Sequence, residues 1–445
     1  MNSDFICFRK HLFKDSIYQI DIQNEQLRLT DITSGKPKYI IQLDWSVEIS
    51  WNITNQEQAF GLKVNQKFKW FYAKSQTIQN MKKQLQKHVT STDFNLFYTL
   101  TTHQSKGQNL NEYEVLYKTD NTVDLVAKCI QKDQLDDQNI IFGELNILKL
   151  LNHPSLPVFE EFFFTQGTYY IIMEKIQGEK LSTILNTSKI SLNLRLIQSI
   201  ILECLQVLQY LESIQVLHRD ISPDNIIYDQ QNKKKTVKLI NFSNSVKFGT
   251  GLKICGTPGY IAPEILLEQQ YGYECDMFSL GCVFYKLLVK KDLFNGNTLA
   301  EILQENKKCI LNLKNLQLFR IPNSAQDLLI RMLEANPKQR ISVFQALKHP
   351  FINDSLKLSI SNQNSQRNFN QNRSERNIIK KDLLSFHSEK QKFVDELEED
   401  YFQNELPPMC EIPVMNSVKG GQRINFDSID DNDTKFRSVI SKSTG

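Results

Sequence analysis

The sequence of 445 residues lacks three features that would each point to a particular class of protein. It has no large excess of charge, since the formal net charge is only +3, and this argues against a nucleic-acid partner. Its eight cysteines include no CxxC pair, so neither a disulfide framework nor a zinc site is indicated. No uninterrupted apolar run approaches the roughly 18 residues that a transmembrane helix needs. These absences predict a cytoplasmic protein with reduced thiols and no transmembrane segment.

The chain is long enough for two or more domains, each able to bury its own core. Residues 1–92 alternate short β-like runs with polar turns, and Phe68, Trp70 and Tyr72 show the two-residue period of a half-buried strand. A helical pattern follows at 76–89. About seven strands and one closing helix is the order of a small β-barrel plus helix, and this segment resembles a pleckstrin-homology (PH)-like domain.

A phosphoinositide partner would require a basic cluster between the first two strands of such a barrel. The candidates are Arg9, Lys10, His11 and Lys14. The alternative is that these residues form an ordinary solvated polar face. Both interpretations stay open, so a peripheral membrane location is a hypothesis beside the cytoplasmic one.

The stretch VLHRDISPDNIIY, at 216–228, carries the most chemical information. Asp220 can accept a proton, and Asn225, five residues later, has an amide oxygen that can ligate a metal. This pair suits phosphoryl transfer, which needs an oriented hydroxyl and a cation on the phosphates. The match to the H-R-D-L-x-x-x-N catalytic loop is close, so the chain resembles the eukaryotic protein kinases.

Other motifs follow in the order of that family between residues 94 and 352. The run LVAKCI contains Lys128, which is equivalent to the family's strand lysine, and the next helical stretch supplies Glu144 as its partner. The run CGTPGYIAPE matches the substrate-binding loop and its A-P-E anchor, where Glu264 would pair with Arg340. The GTPGY context resembles serine/threonine kinases rather than tyrosine kinases.

The resemblance implies an α+β fold class with a bilobal protein-kinase fold over 94–352, preceded by the PH-like domain at 1–92. The remaining residues, 353–445, are predicted to be a low-complexity and partly disordered tail, because 354–376 is rich in Asn, Gln and Ser. Within this tail, the pattern at 377–403 predicts an amphipathic helix.

The resemblance also implies a nucleotide pocket that binds ATP together with Mg²⁺. It assigns catalytic roles to Asp220 as the base, to Asn225 and to Lys128, and metal ligation to Asn225 and Asn241. Met173 falls at the gatekeeper position. The residues that it places around the nucleotide are Val115, Ala127, Lys128, Glu144, Met173, Glu174 and Ile227.

Three departures from the family pattern all concern phosphate or metal. The three positions of the glycine-rich loop fall on Gln108, Leu110 and Tyr113. Ser222 replaces the lysine of the catalytic loop, and Asn241 replaces the aspartate of D-F-G. Asparagine has one neutral acceptor oxygen where aspartate has two charged ones, so a hard dication is attracted less strongly.

The activation segment departs as well. The resemblance places Arg219 where a phosphate on this segment would bind, but the position of the phosphothreonine falls on Lys253. Lysine cannot be phosphorylated, and its charge would repel Arg219. Thr250 is a candidate substitute.

Three hypotheses about function remain open. The first is a serine/threonine-kinase-like signalling protein that binds ATP through Lys128 and Glu144, with phosphotransfer weakened or lost, and that works as a scaffold or allosteric partner of another protein. The second is an active serine/threonine kinase that transfers the γ-phosphate of ATP to protein hydroxyls, with Asp220 as the base. The third is a lipid-directed adaptor that works through residues 1–92. Whether the chain is an enzyme therefore stays open at this point.

Overall fold

The computed structural model describes residues 6–11, 14–53, 58–104, 112–118, 124–134, 137–187, 192–231, 237–250 and 253–353. The described residues through Ile352 fall within one structural unit. The helix predicted at 377–403 and two of the glycine-loop positions, Gln108 and Leu110, lie outside the described residues.

The N-terminal part consists of seven antiparallel strands and a helix, and the two-residue and helical periods predict all of these elements except the first strand. The spatial order of the strands is β4-β3-β2-β1-β7-β6-β5. Leu27 and Leu29 alternate with exposed residues along their strand and are fully buried, while Ile78, Met81 and Leu85 form the buried face of the helix. The elements are β1 (Ile6–Arg9), β2 (Ser16–Gln23), β3 (Gln26–Asp31), β4 (Pro37–Gln42), β5 (Glu48–Ile53), β6 (Gln58–Val64), β7 (Lys67–Ala73) and α1 (Ser75–Leu85).

The next strands extend the same sheet. The next elements are β8 (Thr90–Ser91), α2 (Phe94–Phe97), β9 (Tyr98–Gln104), β10 (Glu112–Tyr117), β11 (Leu125–Gln131), α3 (Asn139–Leu148), β12 (Phe159–Thr165) and β13 (Thr168–Glu174). The two-residue strand β8 pairs in parallel with β5 on one side and with β12 on the other. The result is one sheet of 13 strands, which continues from β5 in the order β8-β12-β13-β11-β10-β9.

The second half of the described chain is mainly helical. Its elements are β14 (Glu179–Lys180), α4 (Leu181–Thr187), α5 (Leu194–Ser213), β15 (Val216–Leu217), β16 (Ile226–Tyr228), β17 (Val237–Leu239), β18 (Val246–Lys247), α6 (Pro263–Leu266), α7 (Glu274–Val289), α8 (Leu299–Lys308), α9 (Lys314–Leu318), α10 (Asn323–Met332) and α11 (Val343–Leu347). Helices α5 and α7 pack together at its centre. Among the described helices, α5 alone has the length and apolar composition of a membrane span, and one of its faces is buried in the core.

A buried ion pair anchors the loop between α10 and α11 to α6. The Nη1 and Nη2 atoms of Arg340 donate to Glu264 at 2.6 and 2.9 Å, and both side chains are almost fully buried. Arg340 also lies over the ring of Phe278. The pairing predicted from the A-P-E motif is therefore confirmed. Since removing one partner would leave a buried charge uncompensated, the pair holds this loop firmly in place.

Candidate active site

An ion pair connects β11 with α3 at the centre of the strand-rich lobe. The Nζ atom of Lys128 lies 2.8 Å from one carboxylate oxygen of Glu144 and 2.9 Å from the other. The side chains are only 15% and 6% exposed, so each charge depends on the other for compensation. The structure thus brings together the two residues that the sequence predicted as partners.

A chain of hydrogen bonds runs from this ion pair to the catalytic loop. Lys128 Nζ also donates to Ser243 Oγ at 2.8 Å. The Ser243 hydroxyl donates to Asn241 Oδ1 at 2.9 Å, and Asn241 Nδ2 donates to Asn225 Oδ1 at 3.2 Å. Asn225 Nδ2 in turn donates to the backbone carbonyl of Asp220 at 2.8 Å. Every link beyond Lys128 is between neutral groups.

The backbone at Asn241 explains why an asparagine fits there. Its φ is +66°, in the left-handed region that asparagine tolerates better than most residues. The turn directs Phe242 into the core, where its ring meets the imidazole of His218 edge to face at 4.9 Å. Burial lowers the pKa of His218 to about 4, so the imidazole is neutral at pH 7 and hydrogen bonds to the carbonyl of Ile240 at 3.0 Å.

Asp220 is buried at the end of this hydrogen-bond chain. One carboxylate oxygen accepts from Thr257 Oγ1 at 2.6 Å and the other from Asn244 Nδ2 at 3.4 Å. Burial raises the pKa of Asp220, although the hydrogen bonds from its neighbours oppose the shift. The predicted base is therefore positioned by two residues of the activation segment.

The neighbouring Arg219 is held by neutral acceptors. Its Nε donates to the carbonyl of Asn244 at 2.6 Å, and its Nη1 donates to the Tyr271 hydroxyl at 2.9 Å. Tyr271 in turn donates to the backbone carbonyl of Lys253 at 3.0 Å. Tyr271 thus connects the Arg219 guanidinium to the backbone of Lys253. Asp276 accepts a hydrogen bond from the backbone N–H of Arg219 at 2.7 Å, which holds the catalytic loop in place.

The cleft beside Lys128 is small. Its cavity has a volume of about 30 Å³, whereas ligand pockets typically measure about 300–1,000 Å³. Of the residues predicted around the nucleotide, four line it: Lys128, Glu144, Met173 and Glu174. The complete lining is Glu112, Val126, Lys128, Glu144, Leu148, Pro157, Met173, Glu174, Ile176, Ile240, Asn241 and Phe242.

The positions of three predicted nucleotide contacts differ from the expectation. Ala127 and Val115 pack into the core shared with the N-terminal strands, and Ile227 is buried but does not line the cavity. Successive strand residues point to opposite faces, so Val126, and not Ala127, shares the cleft side of β11 with Lys128. Counting back two residues from the lysine would have identified Val126.

A carboxylate that the sequence did not predict also faces the cleft. Glu112 lies opposite Lys128 in the pairing of β10 with β11, and it is 6% exposed. Together with Glu144 and Glu174 it makes the lining of the cleft rich in carboxylates. A lysine on β17, Lys238, forms an ion pair with Glu174. Two of these three carboxylates, Glu144 and Glu174, are therefore paired with lysines.

Ser222 occupies the position of the family's catalytic-loop lysine. It is completely buried, and its hydroxyl has no hydrogen-bond partner among the described residues. The short side chain supplies no positive charge near Asp220, which agrees with the departure predicted from the sequence.

The predicted metal ligands do not fit a Mg²⁺ site. Asn225 is the amide ligand that protein kinases normally use, but Asn241 is neutral where they supply a carboxylate, so the site lacks a charged protein ligand for Mg²⁺. Both of their amide oxygens already accept hydrogen bonds, from Asn241 and Ser243 respectively. Within the described ranges, no group of three or more His, Cys, Asp or Glu residues is arranged to hold a metal.

A known protein family and several known proteins have sequences similar to part of this chain. The family model described as "Protein kinase domain" matches residues 111–352. Serine/threonine-protein kinase DCLK1 of Rattus norvegicus is 30% identical over 233 residues, which cover 51% of this chain and 52% of that protein. Myosin light chain kinase A of Dictyostelium discoideum is 29% identical over 230 residues, covering 51% of this chain and 78% of that protein.

Among solved structures, the "Crystal structure of Rad53 kinase domain and SCD2" aligns with a TM-score of 0.49 and 25% identity, covering 58% of this chain and 89% of that one. The matched region spans about half the length of the DCLK1 relative. The family model covers more than half of the 445 residues and contains the Lys128–Glu144 pair and the catalytic loop. The chain therefore belongs to the protein kinase family, with a serine/threonine-kinase-like domain.

Proposed function

We propose that this chain is a serine/threonine-kinase-like signalling protein in which phosphotransfer is weakened or lost. The observation that carries the proposal is the neutral hydrogen-bond chain from Ser243 through Asn241 to Asn225. Protein kinases generally use ATP and Mg²⁺, with charged ligands on the metal. Here amide and hydroxyl groups satisfy one another where those ligands would be, which supports the loss of strong metal binding.

Weak ATP binding through Lys128 and Glu144 is part of the proposal. The ion pair that would orient the phosphates is formed. Phosphates would nevertheless have to compete with the Ser243 hydroxyl for Lys128. The small cavity supports the same conclusion, since a nucleotide requires the cleft to open.

The proposed role is that of a scaffold or allosteric partner for another protein in the cytoplasm. The elements that keep the lobes ordered are all present: the Glu264–Arg340 pair, the contact between His218 and Phe242, and the docking of Arg219. A protein that has lost phosphate-handling groups and keeps these elements can still present a kinase-shaped surface.

A phosphotransfer assay on the full chain tests the proposal. The assay would use ATP, Mg²⁺ or Mn²⁺ and a generic serine/threonine peptide, with the wild type and Asp220→Asn in parallel. We expect both to stay at background. The triple variant Asn241→Asp, Ser243→Gly, Ser222→Lys should gain roughly 100-fold, because each change restores charge or space for the phosphates. Wild-type turnover that needs metal and is lost in Asp220→Asn would overturn the proposal.

An active serine/threonine kinase is the second candidate. The observation that favours it is the placement of Asp220, whose carboxylate Thr257 and Asn244 orient through hydrogen bonds. The same assay decides between the two, since only this candidate predicts Asp220-dependent turnover in the wild type.

We also propose that residues 1–92 form a PH-like domain, on the support of seven antiparallel strands followed by α1. Two of the candidate lipid-binding residues are engaged within the protein. Arg9 donates to the Tyr39 hydroxyl at 2.9 Å, and Lys10 lies 4.4 Å from the centre of the Tyr72 ring. These contacts favour a structural role over phosphoinositide binding. Flotation of the full chain with phosphoinositide vesicles tests this, and binding that Arg9→Ala abolishes would contradict it.

A further inference from the structure

Helix α3, which carries Glu144, has little to stabilise it on its own. It is ten residues long, the side chain of Gln138 does not cap its start, and Gly143 lies in its middle. One exposed hydrogen bond, from the Asn139 N–H to Asp137 Oδ1 at 2.8 Å, supports its first residue. Short helices with such features are marginal in isolation, and their stability comes from packing. The position of Glu144 therefore depends on what surrounds α3.

The N-terminal strands contact α3 through Trp45. This tryptophan lies between β4 and β5 and is 4% exposed. Its Nε1–H donates to Asn146 Oδ1 of α3 at 2.9 Å. Its ring meets those of Phe159 and Phe162 edge to face, at 6.0 and 5.8 Å. Trp45 thus belongs to the core of the kinase lobes although it lies in the segment before them.

Further contacts hold the N-terminal segment at this place. The backbone carbonyl of Trp45 accepts from Thr90 Oγ1 at 2.6 Å, which ties it to β8. At the end of α3, Lys149 pairs with Glu25 at 2.9 Å. That pair is partly exposed and contributes little, so Trp45 carries most of the contact.

We propose that Trp45 is a positioning residue, which acts through Asn146 to hold α3 where Glu144 reaches Lys128. The N-terminal strands are then a built-in brace for the kinase cleft. Asn146, which accepts this hydrogen bond, lies two residues after Glu144 on the same helix. A shift of α3 at Asn146 therefore also moves the Glu144 carboxylate. This inference rests on the proposed function only in taking the Lys128–Glu144 pair as the working site.

Hydrogen–deuterium exchange of the full chain tests the brace without nucleotide or phosphotransfer. Trp45→Phe keeps a ring between Phe159 and Phe162 but removes the N–H donor. Asn146→Ala removes the acceptor, although alanine is the better helix former. We expect the amides of α3 to exchange at least about five-fold faster in each variant, as loss of one hydrogen bond predicts. The double variant should exchange no faster than either single variant, because both remove the same bond.

Two matched substitutions serve as controls. Trp70→Phe makes the same change on β7, and Asn139→Ala makes the same change at the other end of α3; both should leave the exchange of α3 as in the wild type. Unchanged exchange of α3 in Trp45→Phe and Asn146→Ala would overturn the proposal. So would equal acceleration throughout β5–β7 and α3, which a purely structural role predicts. Neither result bears on phosphotransfer, so failure here and failure of the proposed function are distinguishable.

Discussion

At the scale of single residues, Asn241 and Ser243 work as a pair. The backbone of Asn241 keeps the left-handed turn that sends Phe242 into the core, so the packing role of the D-F-G motif survives. The side chain of Asn241, however, lacks the negative charge of the motif's aspartate. The hydroxyl of Ser243, where the motif has glycine, then links Asn241 to Lys128. Asn241 thus removes the charged metal ligand, and Ser243 provides a hydrogen-bond partner for both Asn241 and Lys128.

Removal of the Ser243 hydroxyl should strengthen ATP binding. In Ser243→Gly, phosphate no longer has to displace this hydroxyl from Lys128. We expect ATP to bind about five-fold more tightly than to the wild type, which corresponds to about 1 kcal/mol for one hydrogen bond. Isothermal titration without metal measures the difference. Adding Lys128→Met should abolish binding, and equal affinities for Ser243→Gly and the wild type would contradict the prediction.

His218 should make the protein sensitive to acid. Its pKa in the folded state is about 4, below its ordinary value of 6.5, so the unfolded state binds more protons between these values. The stability that neutral His218 contributes is therefore present above pH 6.5 and lost as the pH falls towards 4. In His218→Tyr this loss is absent.

The measurement is urea unfolding of both proteins at pH 7 and pH 4. The difference in free energy of unfolding between them should move in favour of His218→Tyr by about 3 kcal/mol on acidification. All other titrating groups cancel in this comparison. A difference that does not change with pH would show that His218 is not held neutral by folding.

At the scale of elements, the short strand β8 has a larger effect than its two residues suggest. It joins β5 to β12 and so connects two sets of strands into one sheet. Close to it, the carboxylate of Glu161 is buried and accepts from Lys82 at 2.6 Å and from Ser91 at 3.2 Å. Burial raises the pKa of Glu161, and Lys82 opposes that shift. The junction thus depends on a buried charge pair.

Loss of Lys82 should weaken the junction strongly. Lys82→Met leaves the Glu161 carboxylate buried without its counter-charge, which typically costs about 3–5 kcal/mol. Equilibrium urea unfolding at pH 7 measures the loss. The double variant Lys82→Met, Glu161→Gln should recover most of it, because no buried charge then remains. A loss below 1 kcal/mol in the single variant would mean that water reaches Glu161.

At the scale of the whole molecule, the N-terminal strands and the kinase lobes are continuous. The predicted boundary between 1–92 and 94–352 lies next to β8, within the shared sheet. Trp45 is part of the same buried cluster as residues of α5 and α7, at the centre of the helical lobe. The described buried core forms two clusters, and neither respects this boundary, because the cluster of the N-terminal strands also contains Val115 and Ala127.

This continuity predicts that the N-terminal strands and the helices unfold together. All three tryptophans, Trp45, Trp51 and Trp70, lie in the N-terminal segment of residues 1–92, whereas most residues of the described helices lie after residue 180. Tryptophan fluorescence and far-ultraviolet circular dichroism should therefore give the same urea midpoint. An earlier fluorescence transition would contradict the prediction and show that the N-terminal segment is an independent domain.

The sequence by itself determined the kinase fold, the Lys128–Glu144 and Glu264–Arg340 pairs, and most of the N-terminal strands. These follow from motifs in a fixed order and from periodic patterns, both of which are local. Within residues 1–92, the periodic pattern did not predict β1 and β8, because four and two residues are too few for a period to appear.

Only the tertiary structure decided which groups meet across the cleft. The bond from Lys128 to Ser243 joins residues 115 positions apart, and the bond from Trp45 to Asn146 joins residues 101 positions apart. Side-chain hydrogen bonds at such separations depend on how the lobes pack, which no local pattern encodes. The sequence therefore identified Asn241 as a changed residue, and the packing revealed that Ser243 links it to Lys128.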